Sequence, residues 1–354
     1  MSRSSGRATA FAAMLVMAAC LAAQASAEPA MQLTPLEALG KAAYYDTRLS
    51  RPRGEQACVS CHDPARGWVL PDAEINRTTV VAPGAAAHAL GSIRTPANAY
   101  ASFSPPFAST GQINVPFIGG NFWDGRAEGC GVTGGRCPVG SGQVSKTVRP
   151  GDLPLGKRAR YLRFLGPTAD QALNPLRNPV EQNISQRLVC LAVEKGSYAR
   201  LYRQAYGEAI DCRLGPQGRP AFRTSYRRLA VALAAWQASG EVNSFSSRRD
   251  RALAADPEGK FPLTWLTWEQ NRGHDLFYGK AFCSVCHNGQ PNVIEARAID
   301  PDGTSKFQVY TDYKYHHIGV PFNRAEQPLH VFALAPAECI SSGPCAKLFA
   351  IVAH

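Results

Sequence analysis

One cysteine and histidine pattern occurs twice in this chain, and its residue types are those of haem attachment. The first copy is Cys58-Val-Ser-Cys61-His62 and the second is Cys283-Ser-Val-Cys286-His287. Two thiols at this spacing can each bond a vinyl group of one haem, and the adjacent histidine can then bind the iron as an axial ligand. A C-x-x-C pair alone could instead bind zinc or act as a redox dithiol. The repetition of the complete pattern predicts two covalently bound c-type haems, with His62 and His287 as iron ligands.

A helix start signal precedes each motif. Thr34-Pro35-Leu36-Glu37 is a capping box with proline at the first helical position, and Thr267-Trp268-Glu269-Gln270 repeats the box. A glycine and an aromatic residue follow each box, Gly40 and Tyr44 in the first copy and Gly273 and Phe277 in the second. This repeat predicts two domains, each of which begins with a helix that packs an aromatic residue toward its haem. Coincidence is the alternative, because capping boxes are common.

Two segments between the motifs carry apolar residues at helical spacing. The first contains Tyr226, Leu229, Leu233 and Trp236, and the second contains Ile184, Leu188, Leu191 and Ala192. Both sets are expected to be core faces of helices. The stretches 64–122 and 128–170 are rich in Gly and Pro and show no strand alternation. The predicted fold is therefore mainly α, with two cytochrome c-like haem domains and long ordered loops.

The first 27 residues have the pattern of a secretory signal peptide. A basic start precedes an apolar run over 8–23, and Ala25-Ser26-Ala27 is a small-residue cleavage site. Lipoprotein processing at Cys20 is the alternative. No later stretch is long and apolar enough for a transmembrane segment. We therefore expect a signal peptide over 1–27 and a mature protein in the periplasm, a compartment that suits covalent haem attachment.

Six further cysteines fall into neighbouring pairs. They are Cys130 with Cys137, Cys190 with Cys212, and Cys339 with Cys345. In an oxidising compartment local disulfides are the natural interpretation, although the sequence alone does not fix the pairing.

The chain is basic, with 38 Lys and Arg residues against 27 acidic ones and a formal net charge of +11. No basic run is interleaved with aromatic residues, so nucleic-acid binding is not indicated. The charge fits either an acidic redox partner or simple solubility.

Three further segments contain motifs in a distinctive order. They are G-G-N-F-W-D-G-R-A at 119–127, D-Q-A-L-N-P-L-R-N-P-V-E at 170–181, and Y-H-H-I-G-V-P at 315–321. Together they resemble the bacterial di-haem cytochrome c peroxidases, whose superfamily includes the di-haem enzyme that oxidises tryptophans during methylamine dehydrogenase maturation. The resemblance runs from about residue 34 to residue 321, and it is specific because several spaced motifs occur in the right order.

The resemblance implies a role for each of these motifs. It implies that the N-terminal haem reacts with hydrogen peroxide and that Trp123 relays electrons between the haems. Glu181 would move a proton during peroxide cleavage, Gln171 would hydrogen-bond the peroxide, and Pro175 would belong to the same distal pocket. Without the flanking motifs, core packing would be the better interpretation of Trp123, and a solvated charge that of Glu181.

The resemblance also suggests further metal ligands. His88 lies near the position of a removable sixth ligand of the N-terminal haem in many family members, and a surface histidine is the alternative. Calcium between the haems is typical of the family, and Thr311 and Tyr313 lie where its carbonyl donors are expected. Arg94 stands where that calcium site usually has an asparagine.

The chain departs from the family pattern in two places. An insert over 128–170 replaces a short turn, and the final segment lacks the T-x-x-L-R-N motif and the ligand that follows it. No methionine follows Met31, so a His/Met second haem cannot form from these residues. The candidate substitutes are Tyr310, Tyr313, Tyr315, His317 and His330, with an open site as the other alternative. We expect an N-terminal peroxidatic haem domain over 28–256 and an incomplete C-terminal electron-transfer haem domain over 257–354.

The leading hypothesis is a periplasmic di-haem cytochrome c peroxidase. It would reduce hydrogen peroxide to water with electrons from a small cytochrome c or a cupredoxin. One alternative is a di-haem oxidase of a protein side chain, and another is a di-haem electron-transfer cytochrome without catalysis. The sequence leaves a homodimer open.

Overall fold

The computed structural model describes residues 32–52, 54–91, 93–110, 117–129, 148–154, 166–215, 220–287 and 307–316, and the backbone of 352–353. Several predictions concern residues outside these ranges. They are the signal peptide over 1–27, the pairs Cys130 with Cys137 and Cys339 with Cys345, and the candidate ligands His317 and His330.

The described part of the chain is mainly helical, which confirms the predicted fold class. Its helices are α1 (Pro35–Tyr44), α2 (Ala73–Arg77), α3 (Gly166–Ala172), α4 (Gln186–Glu194), α5 (Ala199–Tyr206), α6 (Phe222–Gln237), α7 (Arg248–Ala255) and α8 (Trp268–Tyr278). Two-residue strands pair antiparallel, β1 (Ala108–Ser109) with β2 (Phe117–Ile118) and β3 (Tyr315–His316) with β4 (Val352–Ala353). None of the described helices is long and apolar enough to span a membrane.

Both predicted capping boxes are present. At α1, the Glu37 N–H donates to Thr34 Oγ1 at 3.3 Å and the Thr34 N–H donates to Glu37 Oε2 at 2.7 Å. At α8, the Gln270 N–H donates to Thr267 Oγ1 at 3.3 Å and the Thr267 N–H donates to Gln270 Oε1 at 2.9 Å. These bonds satisfy N–H groups that have no partner within the helix, so each box fixes the start of its helix.

Helix α6 forms the centre of the core. Leu229, Leu233 and Trp236 are each at most 3% exposed, which confirms the predicted core face, and α1, α3 and α4 pack against this helix. Gly40 of α1 lies directly on the α6 backbone, because a Cβ built at Gly40 would be 1.9 Å from the Ala232 carbonyl oxygen. The glycine therefore lets α1 and α6 approach more closely than any side chain would permit.

The prediction for the core face of α4 is wrong at Leu188. That side chain is 39% exposed, and the buried face consists of Val189, Cys190 and Val193. The helix begins only after the N-cap residue Ser185, and Cys190 forms a disulfide with Cys212. This disulfide is one of the three predicted pairs, and it links α4 to the segment that follows α5.

A segment of the second half pairs with the loop that contains Trp123. The Gly119 N–H donates to the Tyr313 carbonyl at 2.8 Å, and Ile118 forms a bridge with Lys314. The Tyr315 hydroxyl, in a side chain that is 3% exposed, donates to the Gly119 carbonyl at 3.0 Å. Backbone and side-chain bonds thus join residues 313–315 to Ile118 of β2 and to Gly119.

Candidate functional site

The first cysteine and histidine motif forms a tight turn. Cys58–Ser60 is one turn of 3-10 helix, and the His62 N–H donates to the Cys58 carbonyl at 3.0 Å. The Ala57 N–H donates to Ser60 Oγ at 3.1 Å and closes the start of the turn. Burial raises the pKa of the Cys58 thiol to about 12. The turn therefore presents a neutral Cys58 thiol and the Cys61 thiol one turn apart.

The His62 ring is oriented by a backbone carbonyl. Its Nδ1 lies 3.2 Å from the Trp68 carbonyl oxygen, and burial lowers the pKa of His62 to about 4. A neutral ring that donates from Nδ1 keeps a lone pair on Nε2, the form in which histidine binds a metal. The Trp68 carbonyl therefore orients His62 so that Nε2 is the nitrogen left to bind a metal.

An aromatic cluster holds Trp68 in place. Tyr44, Trp68 and Trp236 pack with ring centroids 4.6–6.1 Å apart. The Tyr44 hydroxyl donates to the His62 carbonyl at 3.4 Å and accepts from Asn98 at 2.8 Å. Tyr44, the predicted aromatic residue of α1, thus packs beside the first motif. The position of His62 therefore depends on the core that α1 and α6 form.

One cavity brings the sequence-predicted residues of the first site together. Its walls come from the first motif, from residues in 81–91 and 93–98, from the loop that contains Trp123, from the end of α3 and the loop over 175–182 that follows it, and from α6. The predicted residues that line it are Cys58, Cys61, His62, Trp123, Gln171, Pro175 and Glu181. Residues more than 100 positions apart in sequence therefore face the same volume.

Glu181 lies in the loop that follows α3 and is held there by short bonds. Asn178 Nδ2 donates to Glu181 Oε1 at 2.5 Å, and the Ala85 N–H donates to the Glu181 carbonyl at 2.8 Å. Burial raises the pKa of Glu181 above its ordinary value, and the bond from Asn178 and the charge of Arg126 partly oppose that shift. A carboxylate with a raised pKa is a stronger base than an ordinary one, so Glu181 is better able to take up a proton from a bound molecule.

Trp123 is half-buried in the cavity wall and is fixed at its indole nitrogen. Nε1 donates to the Arg94 carbonyl at 3.1 Å. The Arg126 guanidinium lies over the Phe122 ring at 3.9 Å and pairs with Asp124 at 2.9 Å. These contacts shape the tight turn around Trp123, and the indole faces the cavity with a set orientation.

The second motif has the same backbone turn. Cys283–Val285 is one turn of 3-10 helix, the His287 N–H donates to the Cys283 carbonyl at 3.0 Å, and His287 Nδ1 lies 3.2 Å from the Tyr310 carbonyl. Phe277 of α8 packs edge-on against the Tyr310 ring with centroids 5.5 Å apart. His287 is thus oriented in the same way as His62 in the first copy. Phe277, the aromatic residue that the repeat predicts, packs against the residue that orients it.

A histidine and aspartate pair lies beside the second motif. His316 Nδ1 is 3.9 Å from Cys286 Sγ, and His316 Nε2 is 2.9 Å from Asp312 Oδ2. The surroundings are open, since Phe282 and Val285 are 72% and 68% exposed.

A family model described as di-haem cytochrome c peroxidase matches residues 34–258, well over half of the chain. The chain belongs to the di-haem cytochrome c peroxidase family. The match contains the first motif, the Trp123 loop and the Glu181 loop, and it ends before the second motif.

Individual relatives extend the similarity. The chain is 28% identical over 293 residues to methylamine utilization protein MauG of Paracoccus denitrificans, which covers 81% of this chain and 57% of the relative. It is 27% identical over 260 residues to the MauG of Methylorubrum extorquens, covering 72% and 50%. The chain therefore spans little more than half the length of the curated relatives it matches.

The solved diheme peroxidase BthA of Burkholderia thailandensis has a similar fold. The TM-score is 0.51 at 25% identity, and the match covers 82% of this chain and 55% of BthA. A point variant of BthA gives a TM-score of 0.52 at 24% identity, with coverage of 84% and 60%.

The donor groups of this di-haem family member fit the haems that the family implies. Cys58, Cys61, Cys283 and Cys286 are free thiols in both turns. Each histidine donates from Nδ1 to a carbonyl and keeps Nε2 for iron. Residues of both motifs could thus hold a haem through two thiols and one imidazole.

The structure does not bring His88 to the cavity. The loop over 81–90 forms a hairpin in which Pro83 bridges to Leu90, and His88 is an exposed residue at its tip with φ of 61°. Val81, Ala82 and Pro83, at the base of the hairpin, line the cavity. His88 is thus not among the described residues that line the cavity, and its role as an iron ligand stays a prediction.

The calcium site stays a prediction. Among the described residues, no group of three or more histidine, cysteine or acidic side chains converges as a metal site. The Tyr313 carbonyl accepts the Gly119 N–H, and Thr311 Oγ1 accepts the Tyr313 N–H at 3.1 Å.

Gln56 and Asn178 are polar residues of the cavity wall that the sequence patterns did not single out. Gln56 Nε2 donates to Cys61 Sγ at 3.1 Å and to the Pro83 carbonyl at 3.2 Å, and no pattern around Gln56 marks it. Asn178 could have been identified, because it stands three residues before Glu181 in a turn-forming N-P-x-E segment.

Proposed function

We propose that this chain is a periplasmic di-haem peroxidase that reduces hydrogen peroxide to water. The observation that supports this most is the shared cavity, in which the His62 motif faces Gln171 and Glu181. Electrons would come from a small cytochrome c or a cupredoxin. The periplasmic location depends on the signal pattern over 1–27, and the division into haem domains at 256 and 257 depends on the motif spacing.

The residues of the first motif would hold the cofactor. Cys58 and Cys61 would bond it covalently, and His62 would bind the iron through Nε2. A haem in this position would supply the redox-active iron to which peroxide binds.

Glu181 and its neighbours would manage the proton. Splitting the O–O bond of peroxide requires a proton to move from the inner oxygen to the departing one. The Glu181 carboxylate can accept that proton and return it as the carboxylic acid, and burial raises the pKa of Glu181 in the direction that makes the uptake easier. Asn178 holds one carboxylate oxygen, which leaves the other to face the cavity.

Gln171 and Trp123 would have supporting roles. The Gln171 amide can hydrogen-bond the peroxide and orient it toward Glu181. Trp123 offers an oxidisable indole in the cavity wall, and its loop contacts Tyr315 of the second half. Trp123 would therefore relay electrons between the two halves.

The substitution Glu181→Gln tests the proposal. It should retain both haems by mass and by visible spectrum, and it should lower peroxide turnover by roughly 10²–10⁴-fold because proton transfer is lost. Glu194→Gln, at an exposed position near the end of α4, is the matched control and should keep normal turnover. Undiminished turnover in Glu181→Gln would show that the carboxyl group does not move the proton.

The similarity to MauG favours a second candidate, the oxidation of a protein side chain. The two functions differ in which molecule supplies electrons to the enzyme after it has reacted with peroxide. A peroxidase should be reduced rapidly by a reduced cytochrome c or cupredoxin. An oxidase should react slowly with these carriers and should oxidise a tryptophan of a protein substrate, which peptide mass spectrometry would detect.

A further inference from the structure

A second cleft lies behind the Glu181 loop and is lined with arginines. It is bounded by the segment before α3, by the loop over 173–185, by the start of α4 and by the start of α6. The arginines that line it are Arg149, Arg177, Arg187, Arg223 and Arg227. They come from distant parts of the sequence, so the fold, not a local basic run, brings them together.

Among the described residues, four of these five arginines form no ion pair with a carboxylate. Arg227 is the exception, because it forms two bonds of 2.7 and 3.1 Å to Asp152, whose side chain is 2% exposed. The side chains of Arg149, Arg177, Arg187 and Arg223 are exposed. No acidic residue is among the described residues that line the cleft. The cleft is therefore a concave surface of one charge sign.

The start of α4 adds to the positive potential. Its N-cap residue is Ser185, whose hydroxyl makes no capping hydrogen bond, and Ser185, Gln186, Arg187 and Leu188 all line the cleft. A helix N-terminus attracts anions because its first N–H groups point outward along the helix axis. Leu188, exposed against the prediction from periodicity, forms part of this wall.

We propose that the cleft binds a polyvalent oxyanion, such as an oligophosphate. Guanidinium groups pair with phosphate oxygens through two parallel hydrogen bonds, and Arg is better suited to this geometry than Lys. The cleft has a volume of about 1220 Å³, which is too large for one phosphate to contact all four free guanidinium groups. An anion with several linked phosphate groups can reach more than one of them at once.

The cleft and the haem cavity share one wall. Leu173 and Arg177 line the cleft, whereas Pro175, Asn178 and Glu181 of the same loop line the haem cavity. An anion bound between Arg177 and Arg223 would tie this loop to the start of α6. The site is independent of the proposed peroxidase activity, because it uses none of the residues that face the haem cavity.

Calorimetric titration of the haem-loaded protein with tripolyphosphate tests the proposal. Saturable binding near one equivalent is expected, with much weaker binding of single phosphate. Arg177→Gln and Arg223→Gln should each weaken tripolyphosphate binding about tenfold, since each removes charge-assisted hydrogen bonds. Both side chains are exposed and Arg227 is left intact, so the variants should fold normally.

Arg200→Gln is the matched control, since Arg200 is an exposed arginine on α5 that does not line the cleft. It removes the same charge and should change the affinity less than about twofold at equal ionic strength. Equal losses in all three variants would show attraction to net charge only and would overturn the proposal. So would an absence of saturable binding, or a requirement for Arg177 and Arg223 in binding an acidic carrier protein but not tripolyphosphate.

Discussion

The two cysteine and histidine motifs share a local structure but lie in different surroundings. In both, a 3-10 turn is followed by a histidine whose Nδ1 is 3.2 Å from a carbonyl oxygen. The first histidine is oriented by Trp68, which is 9% exposed and packs on Trp236. The second is oriented by Tyr310, which is 41% exposed. The same five-letter pattern therefore determines the turn and the ligand, and the rest of the fold determines what surrounds them.

The helices that precede the motifs show the same contrast. Helix α1 buries Leu36, Leu39 and Tyr44 against the core, whereas α8 has no buried residue in the described structure. The repeated capping box therefore fixes where each helix begins, whereas the surrounding fold decides what the helix packs against.

The largest expected effect is at Trp236. Trp236→Ala removes a side chain that is 1% exposed and packs on Tyr44 and Trp68. The cost should be about 3–5 kcal/mol of unfolding free energy, measured by denaturant titration of the haem-loaded protein. Because Trp68 orients His62, the visible spectrum of the first haem should change as well.

Trp268 of α8 provides the comparison. Its side chain is 74% exposed, so Trp268→Ala should change the free energy of unfolding by no more than about 0.5 kcal/mol. Equal losses in Trp236→Ala and Trp268→Ala would break the contrast, because they would show that α8 is as deeply packed as α6.

The two glycines at matching positions after the capping boxes are expected to respond in opposite directions. Gly40→Ala places a Cβ against the Ala232 carbonyl, so α1 and α6 must move apart at a cost of about 1–3 kcal/mol. Gly273 has open space around it in the described structure, and Gly273→Ala should stabilise α8 by about 0.5–1 kcal/mol. Thermal unfolding midpoints of the two variants test this, and a shift of the same sign in both would contradict it.

Local signals in the sequence predicted what depends on neighbouring residues. The motif turns, both capping boxes and the core face of α6 are of this kind. The placement of Gln171, Pro175 and Glu181 around one cavity was instead implied by the family resemblance. The core face of α4 was predicted wrongly at Leu188, because the spacing of apolar residues does not fix how far a helix is rotated about its own axis. The Cys190 disulfide and the N-cap residue Ser185 help to set that rotation. The hairpin with His88 at its tip likewise depends on a backbone bridge that the residue types do not reveal.

Contacts between distant segments were beyond prediction. The packing of Trp68 on Trp236, the Gln56 bond to the Pro83 carbonyl and the five-arginine cleft each join segments that are far apart in sequence. Long-range packing of this kind leaves no spacing pattern in a single sequence. The first region therefore contained the most unpredicted detail, although its motif was as easy to recognise as the second.

The smallest expected effect sharpens the role of the first region through pH. Asn178 donates a hydrogen bond to Glu181, and this bond lowers a pKa that burial has raised. Asn178→Ala removes the bond to the charged form, so the pKa of Glu181 should rise further. The carboxylate that accepts the peroxide proton then forms only at higher pH. The acid limb of the profile of kcat/KM against pH should therefore move to higher pH, with kcat/KM lowered a few-fold, roughly, on that limb and little changed at high pH.

Asn174→Ala is the control for this prediction, because Asn174 lies in the same loop but is exposed and does not line the cavity. Its profile should match that of the unsubstituted protein. The acid limb should also disappear in Glu181→Gln, which has no carboxyl group to titrate. A limb that stays in place in Asn178→Ala, or that persists in Glu181→Gln, would assign it to a group other than Glu181. The proton-transfer role would then have to be sought elsewhere in the cavity wall, and the functional difference between the two motif regions would lose its main chemical basis.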